Sequence, residues 1–179
     1  MIRIIKISKT EFQVPEPLVL DEVKEKLHRT DDDDNDILEK LIPRSRAVIE
    51  NFCNISIIQK RIELIAEFPG EELLPYGPII GIESVSTRES TIGSGMPNYT
   101  TLESGWRIEG DNFTSTNCRV LKVVYTVGMT YPIPEDLRDG LLEEIAYRYA
   151  HIGDEAIQES NQICEQAKQT VSPYRVLWL

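Results

Sequence analysis

Apolar residues recur along this chain in two rhythms. Ile37, Leu38, Leu41, Ile42, Ser45, Val48, Ile49 and Phe52 fall at i, i+1, i+4, i+5, i+8, i+11, i+12 and i+15. That spacing predicts a long amphipathic helix, with Glu39, Lys40, Arg44, Arg46 and Glu50 on its polar side. Pro43 sits inside the pattern and predicts a kink, because it removes one backbone hydrogen bond. Upstream, Leu20, Val23 and Leu27 suit a short helix over 20–29, with Asp21 and Glu22 in its first turn. Downstream, the run Pro132-Ile133-Pro134-Glu135-Asp136 is a helix start. Leu137, Leu141, Ile145 and Tyr149 then form an i+4 stripe, widened by Leu142 and Ala146 and ended by Gly153. A more polar helix is expected over 154–169.

Between these helices the rhythm changes to alternation. Ile58, Ile62, Leu64, Ala66 and Phe68 interleave with Gln59, Arg61, Glu63 and Glu67, which predicts a half-buried strand. Further strands are expected over 79–87, 106–109 and 119–127, the last with Leu121, Val123, Tyr125 and Val127 on one face. Residues 88–104 are rich in Ser, Thr and Gly around Gly93 and Gly95 and read as a mobile hairpin tip. Residues 1–14 read as a short strand or arm, followed by breaks at Pro15 and Pro17. The expected class is α+β. A mostly helical core of about four helices, residues 17–55 and 132–179, would carry a small antiparallel β insertion, residues 56–131, behind an N-terminal arm, residues 1–16.

Composition narrows the function classes. The 179 residues carry 30 acidic and 19 basic side chains, a net charge of −11. Gripping nucleic acid through its phosphates, or docking on an anionic membrane, needs a basic face, so both are disfavoured. No apolar run approaches the ~20 residues of a membrane span, and the opening Met1-Ile2-Arg3-Ile4-Ile5-Lys6 is too interrupted for a signal peptide. The chain reads as soluble and cytoplasmic. Cys53, Cys118 and Cys164 lack CxxC spacing and read as buried free thiols, neither disulfide framework nor zinc site.

The search for chemistry is negative. Asp31-Asp32-Asp33-Asp34-Asn35-Asp36 invites a calcium loop, but an EF-hand starting at Asp31 needs Gly at 36 and Glu at 42, where Asp36 and Ile42 stand. The run reads instead as a solvated turn whose acids cap the next helix. Phosphate-loop and nucleophile-elbow spacings are absent, Gly93-Ser94-Gly95 included. His28 and His151 each stand at a helix C-terminus, where the dipole favours them. Glu143 and Glu144 point about 100° apart on a helix and form no dyad. No catalytic residue, metal ligand or cofactor site is assigned, and the chain does not read as an enzyme.

The order of elements is more informative. The stretch from Pro17 through Leu20, Val23, Lys24 and Leu27, an acidic turn, then Asp36-Ile37-Leu38-Glu39-Lys40-Leu41-Ile42 running to Ala47-Val48-Ile49-Glu50, resembles the opening of the tailed-phage head–tail connector, or head-completion adaptor, family. Val124-Tyr125-Thr126-Val127-Gly128, Pro132-Ile133-Pro134-Glu135-Asp136-Leu137, Ala146-Tyr147-Arg148-Tyr149 and Ser172-Pro173-Tyr174-Arg175 resemble its later strand, helices and terminus. The likeness spans most of residues 17–179 and is nearest the larger branch with a small β insertion.

The resemblance implies a structural protein of phage or prophage virion assembly, with no enzyme activity and no cofactor. It implies a homo-oligomeric ring beneath the portal protein, dodecameric in the virion and able to stay monomeric in isolation. That ring completes the DNA-filled head and joins it to a neck or tail-completion protein. The expected location is the virion neck, and the host cytoplasm before assembly; no membrane is involved. DNA would pass through without specific binding, and an acidic channel would let it slide. The alternatives are a small cytoplasmic ligand- or protein-binding domain, or another neck or tail-completion protein. Candidate assembly residues are Gly93, Gly95 and Tyr99 in the hairpin and Tyr174, Arg175, Leu177 and Trp178 at the terminus, where an aromatic anchor suits a docking contact.

Overall fold

The computed structural model describes residues 3–67, 71–88, 99–104, 106–115 and 120–176. The chain divides into two compact units: a β unit of residues 1–13, 58–129 and 177–179, and a helical unit of residues 14–57 and 130–176.

The β unit contains eight strands among the described residues: β1 (Arg3–Glu11), β2 (Lys60–Glu67), β3 (Glu71–Leu73), β4 (Ile79–Arg88), β5 (Tyr99–Thr101), β6 (Trp106–Glu109), β7 (Asn112–Ser115) and β8 (Val120–Val127). Five form an antiparallel sheet in the order β1-β2-β8-β4-β5, and three form a second in the order β3-β7-β6. Alternation drives the packing. Ile62, Leu64 and Ala66 of β2 and Leu121, Val123, Tyr125 and Val127 of β8 are fully buried with Val85 and Phe113. Trp106 stacks on Phe113 at 6.2 Å. The buried Tyr125 hydroxyl donates to the Pro75 carbonyl at 3.0 Å, and burial pushes this phenol far above its ordinary pKa. On the opposite face of the five-stranded sheet, polar positions pair across strands: Lys122 with Glu63 at 2.9 Å and Arg61 with Glu83 at 2.7 Å.

The helical unit holds α1 (Leu20–Lys26), α2 (Asn35–Cys53), α3 (Glu135–Ala150), α4 (Glu155–Glu159) and α5 (Glu165–Val171), closed by a 3-10 turn over Ser172–Tyr174. Its core takes Leu38, Val48 and Ile49 from α2, Leu137, Leu141 and Ile145 from α3, and Ala167 and Val171 from α5. Helix α2 runs through Pro43 without a break in its 19 residues.

These findings correct the expected architecture. The protein is a mixed α and β structure, not a mostly helical core with a small β insertion. The N-terminal residues, read as a short strand or arm, form a strand of the larger sheet, pairing with β2 from Arg3↔Glu67 to Glu11↔Lys60. Three short strands, β3, β5 and β7, add to those that alternation marks. The single polar helix expected over 154–169 is two short helices joined by an extended segment.

Candidate assembly surfaces

The extended joint between α4 and α5 has a specific cause. Glu144 and Arg148 stand one turn apart on α3, at positions continuing the Leu137–Leu141 stripe, and both are fully buried. The Arg148 guanidinium donates to Glu144 at 2.8 Å and to four carbonyls: Ile157 at 3.0 Å, Gln158 at 3.2 Å, Ser160 at 3.0 Å and Gln162 at 3.3 Å. The other Glu144 oxygen accepts the Cys164 N–H at 2.8 Å. Five donors in a planar fork suit such a set of acceptors. The Gln158 side-chain amide closes the loop by donating to the Arg148 and His151 carbonyls at 2.7 and 3.1 Å.

A second buried arginine sits on α2. Arg46 donates two bonds to Glu16, at 2.7 and 3.0 Å, and one to Glu50 at 2.9 Å. Glu50 in turn accepts the Ile57 N–H at 2.7 Å. Sequence periodicity assigns Arg46 and Glu50 to the polar side; each is 3% exposed, so this is a correction. The signal was in the sequence: both arginines have a glutamate at i±4, the spacing that lets one side chain neutralise the other on a helix face.

The acidic turn caps α2 by position only. Asp34 is the N-cap residue, yet its side chain makes no capping bond. It accepts instead from Arg29 at 2.8 Å and from the Tyr149 hydroxyl. Asp32 accepts from Lys24 at 2.6 Å and from Asn35 at 3.1 Å. The Lys24 bond, with help from Asn35, holds the Asp32 carboxyl below its ordinary range. Among the described residues, no group of three or more His, Cys, Asp or Glu side chains is placed to hold a metal ion. No described helix is long and apolar enough to cross a membrane. Cys53 and Cys164 are buried free thiols, each pushed up to about 11 by burial, while Cys118 lies outside the described residues. His151 caps the end of α3, its Nδ1 donating to the Tyr147 carbonyl at 2.7 Å.

Charge is divided unevenly between the units. The helical unit carries 20 acidic and 10 basic side chains, a net −10, and the β unit 10 acidic and 9 basic, a net −1. Nearly the whole excess of the chain therefore belongs to the helices and their turns.

Of the sequence-predicted assembly residues, Gly93, Gly95, Leu177 and Trp178 lie outside the described residues, as do residues 89–98 of the segment expected to form a hairpin tip. Tyr99 opens β5 at the edge of the larger sheet, its ring 5.8 Å from the Lys122 ammonium. Tyr174 and Arg175 are in the helical unit. Burial and the neighbouring Asp136 carboxylate push the Tyr174 phenol up, and the Arg175 guanidinium lies over the Phe52 ring at 4.8 Å. At the other edge of the sheet, eight of the nine β1 side chains are exposed, and only Ile7 is half-buried.

No curated protein matches the chain by sequence. Among solved structures, the chain is similar to one from the neck of an empty GTA particle computed with C6 symmetry, with a TM-score of 0.69 at 15% identity over 96% of this chain and 97% of that one. It is also similar to a chain from the virion of a native gene transfer agent particle, with a TM-score of 0.70 at 13% identity over 96% of each. At such identities the likeness is one of fold, and it extends over both units. A family model described as head completion protein matches residues 18–149, well over half of the chain, from the end of the Pro17 break to the last turn of α3. The chain belongs to the head completion protein family.

Proposed function

We propose that this head completion protein assembles as a cyclic ring at the neck of a phage-like particle, with its acidic helical unit turned toward the DNA path. Its role is that of a structural head–tail connector. The fold it shares with a chain from a neck computed with C6 symmetry supports a ring of six copies or a multiple of six, the twelvefold case included. The observation that carries the orientation is the division of charge, −10 in the helical unit against −1 in the β unit. A duplex bears one negative charge per ~1.7 Å of axis, so an acidic wall repels it at short range and offers no phosphate contacts to hold it. The expected partners are a portal protein on the head side and a neck or tail-completion protein on the other.

Imaging of the assembled neck tests this. Carboxylates of the helical unit, such as Asp31, Asp33 and Glu39, are expected on the lumenal surface. A neutral or basic lumen would refute the orientation. Capture of the chain by portal protein, with light scattering of the complex, tests the ring; a complex holding a single copy would refute it.

A further inference from the structure

The larger sheet of the β unit has two edges of different character. The β1 edge is nine residues long and exposed except where Ile7 packs on the core, with Ile4 46% and Ile5 53% exposed. Its register slips between Ile4↔Ala66 and Lys6↔Ile65, so Ile5 is the extra residue of a bulge with no partner across the strand. Edge strands are ordinarily short, covered or charged, since a bare row of N–H and C=O groups recruits other strands. This one is long and uncovered: Arg3, Lys6 and Lys9, against Glu11, make it basic, while Ile4 and Ile5 leave an apolar stretch at its start. Like charges face to face disfavour pairing of β1 with β1 of another copy. The opposite edge, β5, carries no cation over Tyr99-Thr100-Thr101 and is followed by Leu102 and Glu103.

Topology sets how the two edges can meet. Every neighbouring pair in the order β1-β2-β8-β4-β5 is antiparallel, and the number of strands is odd. Strands β1 and β5 therefore point the same way. Rotation about a ring axis leaves unchanged the direction of strands that run along it, so with the sheet upright in this way β1 of one copy meets β5 of its neighbour as a parallel pair. Such a contact joins two different surfaces of the same chain, the heterologous type that closes rings. We infer that β1 adds to the β5 edge of the next copy, joining the five-stranded sheets edge to edge around the ring. This rests on the ring reading above.

The register supplies the test. Thr101 pairs with Ser86, Ser86 with Lys122, Lys122 with Ile65 and Ile65 with Lys6, so Thr101 and Lys6 share one face of the sheet. Ser8, two residues from Lys6, is on the same face, and both Ser8 and Thr101 are exposed. Ser8→Cys and Thr101→Cys are made separately in the full-length chain carrying Cys118→Ser, leaving the buried thiols of Cys53 and Cys164 in place. The two variants are mixed, with and without portal protein, and treated with a short thiol cross-linker. A covalent dimer is expected only in the mixture, and a ladder of higher species from the double variant. Adding Ile4→Lys and Ile5→Lys, with an unchanged melting curve, is expected to abolish both. Dimers from the Ser8→Cys chain alone would mean pairing of β1 with β1 and overturn the inference. A large oligomer by light scattering without the mixed dimer would overturn it and leave the ring reading standing. A chain that stays single with portal protein present would overturn the ring reading as well.

Discussion

Replacing Arg148 by methionine isolates the contribution of the buried clamp on α3. Methionine matches the stem of the side chain and fills most of its volume, so the cavity is small, but every donor is lost. Glu144, fully buried, keeps the Cys164 N–H but loses its cationic partner, and the carbonyls of Ile157, Gln158, Ser160 and Gln162 each lose the guanidinium donor, with Ser160 keeping Arg44 and Ile157 keeping the Ser160 N–H. Removing one partner of a buried ion pair costs about 3–5 kcal/mol, since the remaining charge is stranded in a medium that solvates it poorly. The carbonyls lie partly within reach of water and add less, so about 4 kcal/mol is expected in total. In a chain of this size that lowers Tm by roughly 8–16 °C. Urea titration followed by circular dichroism reads the loss, and amide exchange places it, with faster exchange concentrated in residues 155–164. The double variant Glu144→Leu/Arg148→Met is expected to recover part of the stability, because no unpaired carboxylate remains. A loss under about 1 kcal/mol for Arg148→Met, or a double variant no more stable than the single, would refute the clamp as the reason for the extended joint.

Three further outcomes follow from close contacts and charges. A Cβ at Gly140 would sit 2.3 Å from Cγ1 of the buried Val171, so Gly140→Ala is expected to cost about 1–3 kcal/mol of overpacking against ~1 kcal/mol of helix propensity gained. Adding Val171→Ala should reverse its sign in denaturant titrations. Gly128 has φ +136°, and a Cβ there would lie 2.8 Å from the Ile58 carbonyl oxygen; Gly128→Ala should destabilise by at least about 2 kcal/mol, read as a lower urea midpoint. Finally, Asp32 is held low by Lys24 and Asn35, and Glu22, though burial raises it, is held low overall by Arg138 and the Val19 N–H. Groups with depressed folded values contribute stability that is present above the unfolded carboxylate range and lost as pH falls through the folded value. Tm should therefore hold steady down to about pH 5 and fall below about pH 4, with a shallower fall in Lys24→Met.

Much of this structure is legible in the sequence wherever a local period exists. The stripes of α2 and α3 and the alternation of β2, β4, β6 and β8 announce themselves, and the order of those elements carried the family resemblance. What stayed hidden depends on distant partners. Residues 1–14 read only as a short strand or arm, and what that strand pairs with stays hidden because its partner, β2, begins 49 residues beyond Glu11. Strands β3, β5 and β7, three or four residues each and largely polar, have no room to show a period. Their concealment made a two-sheet unit look like a minor insertion. Arg46 and Glu50 fall on the polar side by residue type, and Glu144 and Arg148 draw no assignment, although the i, i+4 pairing of both sets on apolar stripes marks charges that can be buried together. The division of charge was within reach: the expected helical segments 17–55 and 132–179 already carry a net −9, and adding residues 1–13 only brings the β unit from −3 to −1.

That division has a consequence for how copies come together. In the proposed ring, helical units with a net −10 side by side would concentrate negative charge, and the solution would have to supply cations on closure. Ring closure is then an ion-uptake reaction, strengthened by added salt, whereas binding to a duplex expels ions and weakens as salt rises. Such a ring would be at its tightest in the ionic conditions that loosen proteins from DNA.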